Sequence, residues 1–408
     1  MSISELIYSF DYNDEGRDNL DSFLRKANFK YSVPSIHVAG TNGKSTIACQ
    51  LKNVYQAANY KIGLFISSHY QRNVEEMIYI NDEHISNKEI ESIFNDNQKL
   101  FKKFDLSPFD IIVFIALTYF QKSGVDIAII ETGIGGEYDS TNIFAPILSI
   151  ITNISLEHTA ELGVSLSEIA RHKAGIIYDK VPTLIGKIEG DGLEVIVDVA
   201  KRKESKVSKT GEIHNEVRND NGISFEYKTH RDLFIPNLGH LNVINASLVI
   251  DAVDLLVNQF PVSEDALKAG LNAKLPKGKF EVINKEGITY VIDTAHNVEA
   301  IHTLRESIDR LQLAKETFVV FATNRDKNIT LMLPEIGLLG KIYITTYENK
   351  RAREESDYFL FLDEYEFNGD YRSLIKKIKE EHPECTIVIT GSSVFASLVS
   401  DDVSGGII

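Results

Sequence analysis

The chain has 408 residues, and its 43 Lys plus Arg stand against 59 Asp plus Glu, a formal net charge of −16. That length calls for two domains, or three, and a composition 43% hydrophobic and 25% charged excludes disorder, collagen and a coiled coil. The acidic balance argues against nucleic acid as the main partner, while local backbone nests and a few cations leave room for a small anion.

The chain opens on MSISELIYSFDYNDEGRD, an acidic stretch without the apolar core of a signal peptide. Apolar stretches such as residues 111–117 are far too short to span a bilayer, so no membrane is expected. The two cysteines, Cys49 and Cys385, lie far apart in apolar segments, which fits a reducing compartment; the expected location is the cytoplasm.

Residues 35–39 read as a strand, followed by a glycine turn and a helix over 44–58. Residues 61–66 form a second short strand, 110–122 a buried helix, and 125–131 (VDIAIIE) and 147–152 buried strands. Buried β-branched strands alternating with helices mean crossover units and a parallel sheet covered on both faces. The charged stretch 201–209 and the polar 211–222 read as an edge hairpin or surface insertion. A Pro/Gly/Lys-rich break, KLPKGK at 274–279, places a domain boundary near 277, giving domains 1–276 and 277–408. Strands at 290–293, 318–322, 341–345 and 386–390, with helices between, make the second a smaller α/β domain.

The sharpest local signal is IHVAGTNGKST, residues 36–46: a strand runs into Gly40, Thr41, Asn42, Gly43, Lys44, Ser45 and Thr46, and a helix follows. Glycines let backbone N–H groups turn toward phosphate oxygens, and the helix N-terminus adds its positive end. Lys44 can reach terminal phosphates, and the hydroxyl after it can ligate Mg²⁺. Two residues separate the first glycine from Gly-Lys here, against four in the standard pattern. The buried strand 125–131 ends in Glu131, a carboxylate well placed for Mg²⁺ beside a phosphate loop, and the glycines at 133–136 provide backbone room.

GTNGK is similar to the phosphate loop of the Mur ligase superfamily, which includes the folylpolyglutamate and dihydrofolate synthases. ETGIGGEYDSTN (131–142) resembles the folate-ligase stretch E-V-G-L-G-G-R-L-D-A-T-N, with Glu137 in place of Arg. ITNISLEHTAELG (151–163) resembles I-T-N-I-x-x-D-H-T-x-x-L-G, and EIARHKAGII (168–177) resembles E-I-A-x-E-K-A-G-I-I. NLGHLNVINASLV (237–249) is similar to G-x-H-Q-x-x-N-A, with Leu241 and Asn242 as departures. LPKGKFE (275–281) resembles L-P-G-R-F-E, and DTAHNV (293–298) resembles D-G-A-H-N-P. ISSHYQRNVEEMIYIN (66–81) looks like the folate-ligase loop S-P-H-L-x-R-x-x-E-R-I-x-x-N.

The resemblance implies an α/β fold: a P-loop parallel-sheet ATPase domain like the Mur ligase central domain, followed by a smaller Rossmann-like C-terminal domain that binds the amino acid. It implies ATP and Mg²⁺, two ions, held through Ser45, Glu131, His158 and a carbamylated Lys173. It gives Asn245 the adenine edge, Lys279 the ATP phosphates, Asp293 the ribose, and His296 the amino-acid acceptor or acyl phosphate. Ser68, His69, Arg72 and Asp139 fall on the folate side. The implied partners are a folate or pteroate, L-glutamate and ATP, handled by a monomer. The implied reaction is ATP-dependent amide formation through an acyl phosphate, with Lys44, Lys173 and His296 as catalytic residues and domain closure excluding water. Two alternatives stay open: the same chemistry on a non-folate carboxylate, motivated by Ser68, Glu137, Leu241 and Asn242, and a catalytically silent nucleotide-binding homologue.

Overall fold

The computed structural model describes residues 2–10, 12, 17–67, 73–313 and 316–408. They divide into two compact units. The first holds Met1–His214, Phe225–Phe234 and Asn245–Ala273; the second holds Asn215–Ser224, Ile235–Ile244 and Lys274–Ile408.

The first unit is built on strands β1 (Ser35–Ala39), β2 (Ile62–Phe65), β3 (Ile78–Ile80), β4 (Glu83–His84), β5 (Ile127–Glu131), β6 (Leu148–Ile151), β7 (Thr183–Ile185) and β8 (Val207–Lys209). Their order across the sheet is β4-β3-β2-β5-β1-β6-β7-β8. From β2 to β8 every pairing is parallel, and β3 and β4 continue it antiparallel as a hairpin turning at Asn81, whose φ is 54°. β1, β2, β5 and β6 are buried along their whole length, as a parallel sheet under helices on both faces requires. One face packs Ile111, Ile115, Phe101 and Phe114 against Ala128 and Ile130; the other packs Ala170, Ala174 and Ile196 against Ala39 and Ile151. The helix Pro108–Ser123 begins with a capping box between Ser107 and Asp110 and ends at Gly124 in the left-handed region. The stretch 201–209 differs from a hairpin: it ends the helix Gly190–Arg202 and supplies β8, a parallel edge strand.

The sheet order positions the ligand crevice. From β1 the chain crosses to β2 on one side, whereas from β6 it continues to β7 on the other. Loops leaving two adjacent strands in opposite directions open a crevice at their carboxyl ends. The register aligns Val38 with Glu131 and Ala39 with Ile151, so Gly40 and Thr152 leave β1 and β6 side by side, just beyond the level at which Glu131 ends β5.

The helix Lys44–Ala57 descends from that level and packs on Glu264–Leu271 through Gly270. A Cβ on Gly270 would stand 2.4 Å from the Val54 Cα, a backbone atom that cannot yield. Gly270→Ala is expected to cost about 1–3 kcal/mol by overpacking, read as a lowered urea midpoint at unchanged m-value.

Strands β9 (Ile213–Asn219), β10 (Gly222–Tyr227) and β11 (His230–Ile235) form a three-stranded sheet in the order β11-β10-β9. The second unit carries β12 (Lys279–Lys285), β13 (Ile288–Asp293), β14 (Thr317–Phe321), β15 (Lys341–Thr345), β16 (Glu366–Asn368) and β17 (Thr386–Thr390). Their order is β12-β13-β17-β14-β15-β16, parallel except for β12. The residues after the KLPKGK break thus form an antiparallel edge strand, because the turn Glu286–Gly287, at positive φ on both residues, returns the chain at once into β13. Among the described residues no helix is long and apolar enough to cross a membrane.

Candidate active site

The phosphate loop follows the fully buried β1. Gly40 has φ +147° and Gly43 φ +84°, conformations that side-chain-bearing residues rarely adopt. Space is as restrictive as conformation, since a Cβ on Gly40 would lie 1.9 Å from Thr152 Oγ1 and one on Gly43 2.6 Å from Asn245 Oδ1. Gly43 stands at the N-cap of the helix Lys44–Ala57, and no side chain caps its first turn. Those amides and the helix dipole therefore face the loop as an anion site. Lys44 Nζ donates to Gly40 O at 2.9 Å and to Thr41 O at 3.0 Å. Ser45 and Thr46 are buried in the helix's first turn.

A second lysine converges on the same carbonyl. Lys173, on the helix Leu166–Ala174, donates from Nζ to Gly40 O at 2.7 Å and is 3% exposed. Burial in apolar surroundings pulls its pKa down to about 7, helped by repulsion from Lys44 and opposed by Glu157 and Asp139. An amine titrating there spends part of its time neutral at physiological pH, the state that can add CO₂.

Glu131 ends β5 with its carboxylate buried, and its Oε2 accepts from Ser67 N at 2.9 Å. The donor chemistry fits Mg²⁺, which prefers oxygen and takes one or two carboxylates, waters and substrate phosphates. Ser45 Oγ and Glu131 supply such oxygens, whereas the imidazole of His158 is a poorer partner for this ion. No group of three or more His, Cys, Asp or Glu among the described residues forms a metal-binding cluster. His158 itself sits at φ 50° ahead of the short helix Thr159–Leu162.

Asn245 lies against the phosphate loop at Gly43, and its Nδ2 is buried with no hydrogen-bond partner among the described residues. Asp139 is buried, and burial raises its pKa. Its carboxylate accepts from Thr141 N at 3.0 Å, Ile134 N at 2.9 Å, Gly133 N and the Thr141 hydroxyl. Thr141 Oγ1 lies 2.8 Å from Nε2 of the buried His37. Glu137 N donates to His172 O at 2.7 Å, so the loop after β5 is tied to the helix that carries Lys173. Ser68, His69 and Arg72 lie outside the described residues.

In the second unit Lys279, Asp293 and His296 come together at the end of β13. Lys279 pairs in register with Asp293, and its Nζ donates to Thr294 Oγ1 at 3.2 Å. Burial raises the Asp293 pKa to about 6, against the pull of Lys279 and the amide of Ala295. Thr294 O can only accept, so His296 Nδ1, 2.7 Å away, carries the proton and leaves Nε2 as the basic nitrogen of the neutral ring.

Thr152 and Asn153 were not among the residues singled out in the sequence, although both lie within the quoted ITN segment. Thr152 Oγ1 donates to Asn42 O at 2.6 Å, and Asn153 Oδ1 accepts from Asn42 N at 2.8 Å. The available signal was two hydrogen-bonding side chains directly after a buried strand.

Comparison with known proteins places this geometry. Residues 38–253 match the family model described as Mur ligase middle domain, and 278–393 match Mur ligase, glutamate ligase domain. The dihydrofolate synthase/folylpolyglutamate synthase of Bacillus subtilis is 30% identical over 385 residues, covering 90% of this chain and 89% of that protein. The folylpolyglutamate synthase of Lacticaseibacillus casei is 28% identical over 396 residues, covering 91% and 90%. Mycobacterium tuberculosis folylpolyglutamate synthase complexed with ADP superposes with a TM-score of 0.87 at 24% identity, over 97% of this chain and 96% of that one. A structure described as an FPGS-AMPPCP-folate complex gives a TM-score of 0.86 at 25% identity, over 99% and 100%. With both ligase domains matched in order along the chain, and a relative 30% identical over 90% of it, this chain belongs to the folylpolyglutamate and dihydrofolate synthase family of the Mur ligases.

Proposed function

We propose that the chain is an ATP-dependent acid–amino acid ligase that joins L-glutamate to the carboxylate of a folate or dihydropteroate. The observation that carries this reading is the convergence of Lys44 and Lys173 on Gly40 O, at the end of the strand paired with Glu131. A carboxylate at neutral pH is a poor electrophile, so it must be activated. A substrate carboxylate oxygen attacks the γ-phosphorus of ATP, the bond to the β-phosphate oxygen breaks, and ADP leaves. The glutamate amine then attacks the acyl carbon, an amide forms, and inorganic phosphate departs.

Phosphoryl transfer of this kind is won by positioning and charge neutralisation. Lys44 places a cation in the loop, and the helix-start amides hold phosphate oxygens. Asn245 directs its buried amide to the nucleotide. Glu131, Ser45 and a carbamylated Lys173 would hold Mg²⁺ through oxygen, with His158 as a weaker nitrogen ligand, and the ion when bound supplies positive charge to the transferring phosphoryl group. In residues 277–408 Asp293 takes ribose hydroxyls and Lys279 meets phosphate. His296 is assigned to the amino-acid acceptor or the acyl phosphate, where the glutamate amine attacks. Asp139, with Ser68, His69 and Arg72, is assigned to the folate side. Neither Cys49 nor Cys385 is in a disulfide, which suits a reducing compartment and supports a cytoplasmic location.

A second reading, the same chemistry on another carboxylate, is favoured by the acidic Glu137, exposed in the loop after β5. ADP release is to be measured with dihydropteroate, tetrahydrofolate and other carboxylates, each against a panel of amino acids. The expected result is turnover that requires both a folate-type acid and L-glutamate. Absence of any folate-dependent ADP release would reject the first reading and leave the second.

A further inference from the structure

We propose that Asn153 and Thr152, at the carboxyl end of β6, are positioning residues that shape the phosphate loop from outside and thereby set its nucleotide affinity. The inference rests on the nucleotide-binding reading of that loop. Two residues between Gly40 and Gly43-Lys44 leave little chain with which the loop can organise itself. The neighbouring strand end supplies the missing bonds. Asn153 Oδ1 accepts from both Thr41 N at 3.2 Å and Asn42 N at 2.8 Å, while Asn153 O accepts from Thr41 N at 3.1 Å. Thr152 Oγ1 donates to Asn42 O at 2.6 Å, and its backbone N donates to Ala39 O at 2.9 Å. Thr41 Oγ1 donates to Ser155 O at 3.3 Å and accepts from Ser155 N at 3.1 Å.

The donor accounting divides the loop in two. A backbone N–H has one proton, and those of Thr41 and Asn42 are directed at Asn153. The amides at the start of the helix Lys44–Ala57, which no side chain caps, are left to meet phosphate oxygens. Asn153 thus turns the first half of the loop away from the ligand and aims the second half at it. Thr152 makes the requirement for glycine mutual, because its Oγ1 occupies the space a Cβ on Gly40 would need. A hydroxyl has one proton, and the short bond to Asn42 O uses it.

Calorimetric titration of the full chain with ADP and Mg²⁺ tests the clasp, on the wild type and on Asn153→Ala, Thr152→Val and Thr152→Ser. Each lost bond is worth a modest amount, so Asn153→Ala and Thr152→Val are expected to weaken ADP on the order of tenfold to a hundredfold, and Thr152→Ser by less than about threefold. The KM for ATP should rise with that for the pteroate substrate unchanged, a split that general destabilisation does not produce. Equal ADP affinity in wild type, Asn153→Ala and Thr152→Val overturns the proposal. So does a Thr152→Ser chain as weak as Thr152→Val, which would assign the effect to packing of the methyl group. Should Asn153→Ala fail to fold, the valine and serine pair decides alone. If the wild type itself takes up no ADP, the ligase reading fails instead, and amide exchange at Thr41 and Asn42 then judges the clasp. Faster exchange in Thr152→Val than in wild type supports it, and unchanged exchange overturns it.

Discussion

Replacing Lys44 with alanine is expected to lower kcat for glutamate-dependent ADP release by on the order of 10²–10³-fold, the scale seen when one preorganised donor to a transition state is removed. The ammonium stands 2.9 Å from Gly40 O and 3.0 Å from Thr41 O, in a loop whose other donors are uncharged. Its removal takes away the one formal charge the loop sequence GTNGKST supplies. It also has an indirect effect with a definite sign. Repulsion from Lys44 is one of the causes holding the Lys173 pKa down. Without it that pKa rises, and less of Lys173 is neutral near pH 7. Steady-state ADP release at saturating substrates, with a thermal melt to establish folding, checks the prediction. A loss below about tenfold would show that Lys44 only ties the loop together.

The second large effect is expected at Lys173, and it depends on pH. Its folded pKa of about 7 lies below the 10.5 of a lysine in water. Below pH 7 both the folded and unfolded chains carry the ammonium, and the full cost of burying it is present. Between pH 7 and 10.5 the unfolded chain binds more protons than the folded one, so stability rises with pH. Urea unfolding at pH 6 and pH 9 should show a gain for the wild type, on the order of a few kcal/mol, that Lys173→Met lacks. Activity should fall in parallel with acidification, since only the neutral amine adds CO₂: the nitrogen lone pair attacks the carbon, a proton leaves, and a carbamate anion remains. Stripping CO₂ from the buffer should depress wild-type turnover and bicarbonate should restore it, while Lys173→Met stays low under both conditions. A wild-type chain indifferent to CO₂ would discard the carbamate and leave Lys173 as a buried donor to Gly40 O.

Much of this molecule is written locally. Strands at 341–345 and 386–390 coincide with the observed Lys341–Thr345 and Thr386–Thr390, since short β-branched runs between turns carry their own signal. The strand, glycine turn and helix around residues 36–46 were equally legible, because glycines at 40 and 43 are what the backbone's positive φ there requires. Glu131 at a strand end and Asp293 before a turn were read the same way.

Contacts between distant segments were a different matter. Asn153 lies 111 residues beyond Asn42, and its amide reaches the loop only because β6 pairs with β1 in one particular register. Lys173, 133 residues from Gly40, reads in the sequence as an ordinary helical lysine. Its pKa near 7 comes from the walls that enclose it, and no window of sequence contains those walls. The antiparallel β12 was likewise hidden, because the KLPKGK break obscures a strand held by its partner β13 rather than by its own pattern. Hydrophobic period and turn chemistry act over a few residues and are spelled out in order along the chain. Hydrogen-bond partners, burial and proton affinity are set by whatever sheet registry brings alongside, and they exist only once the chain has folded.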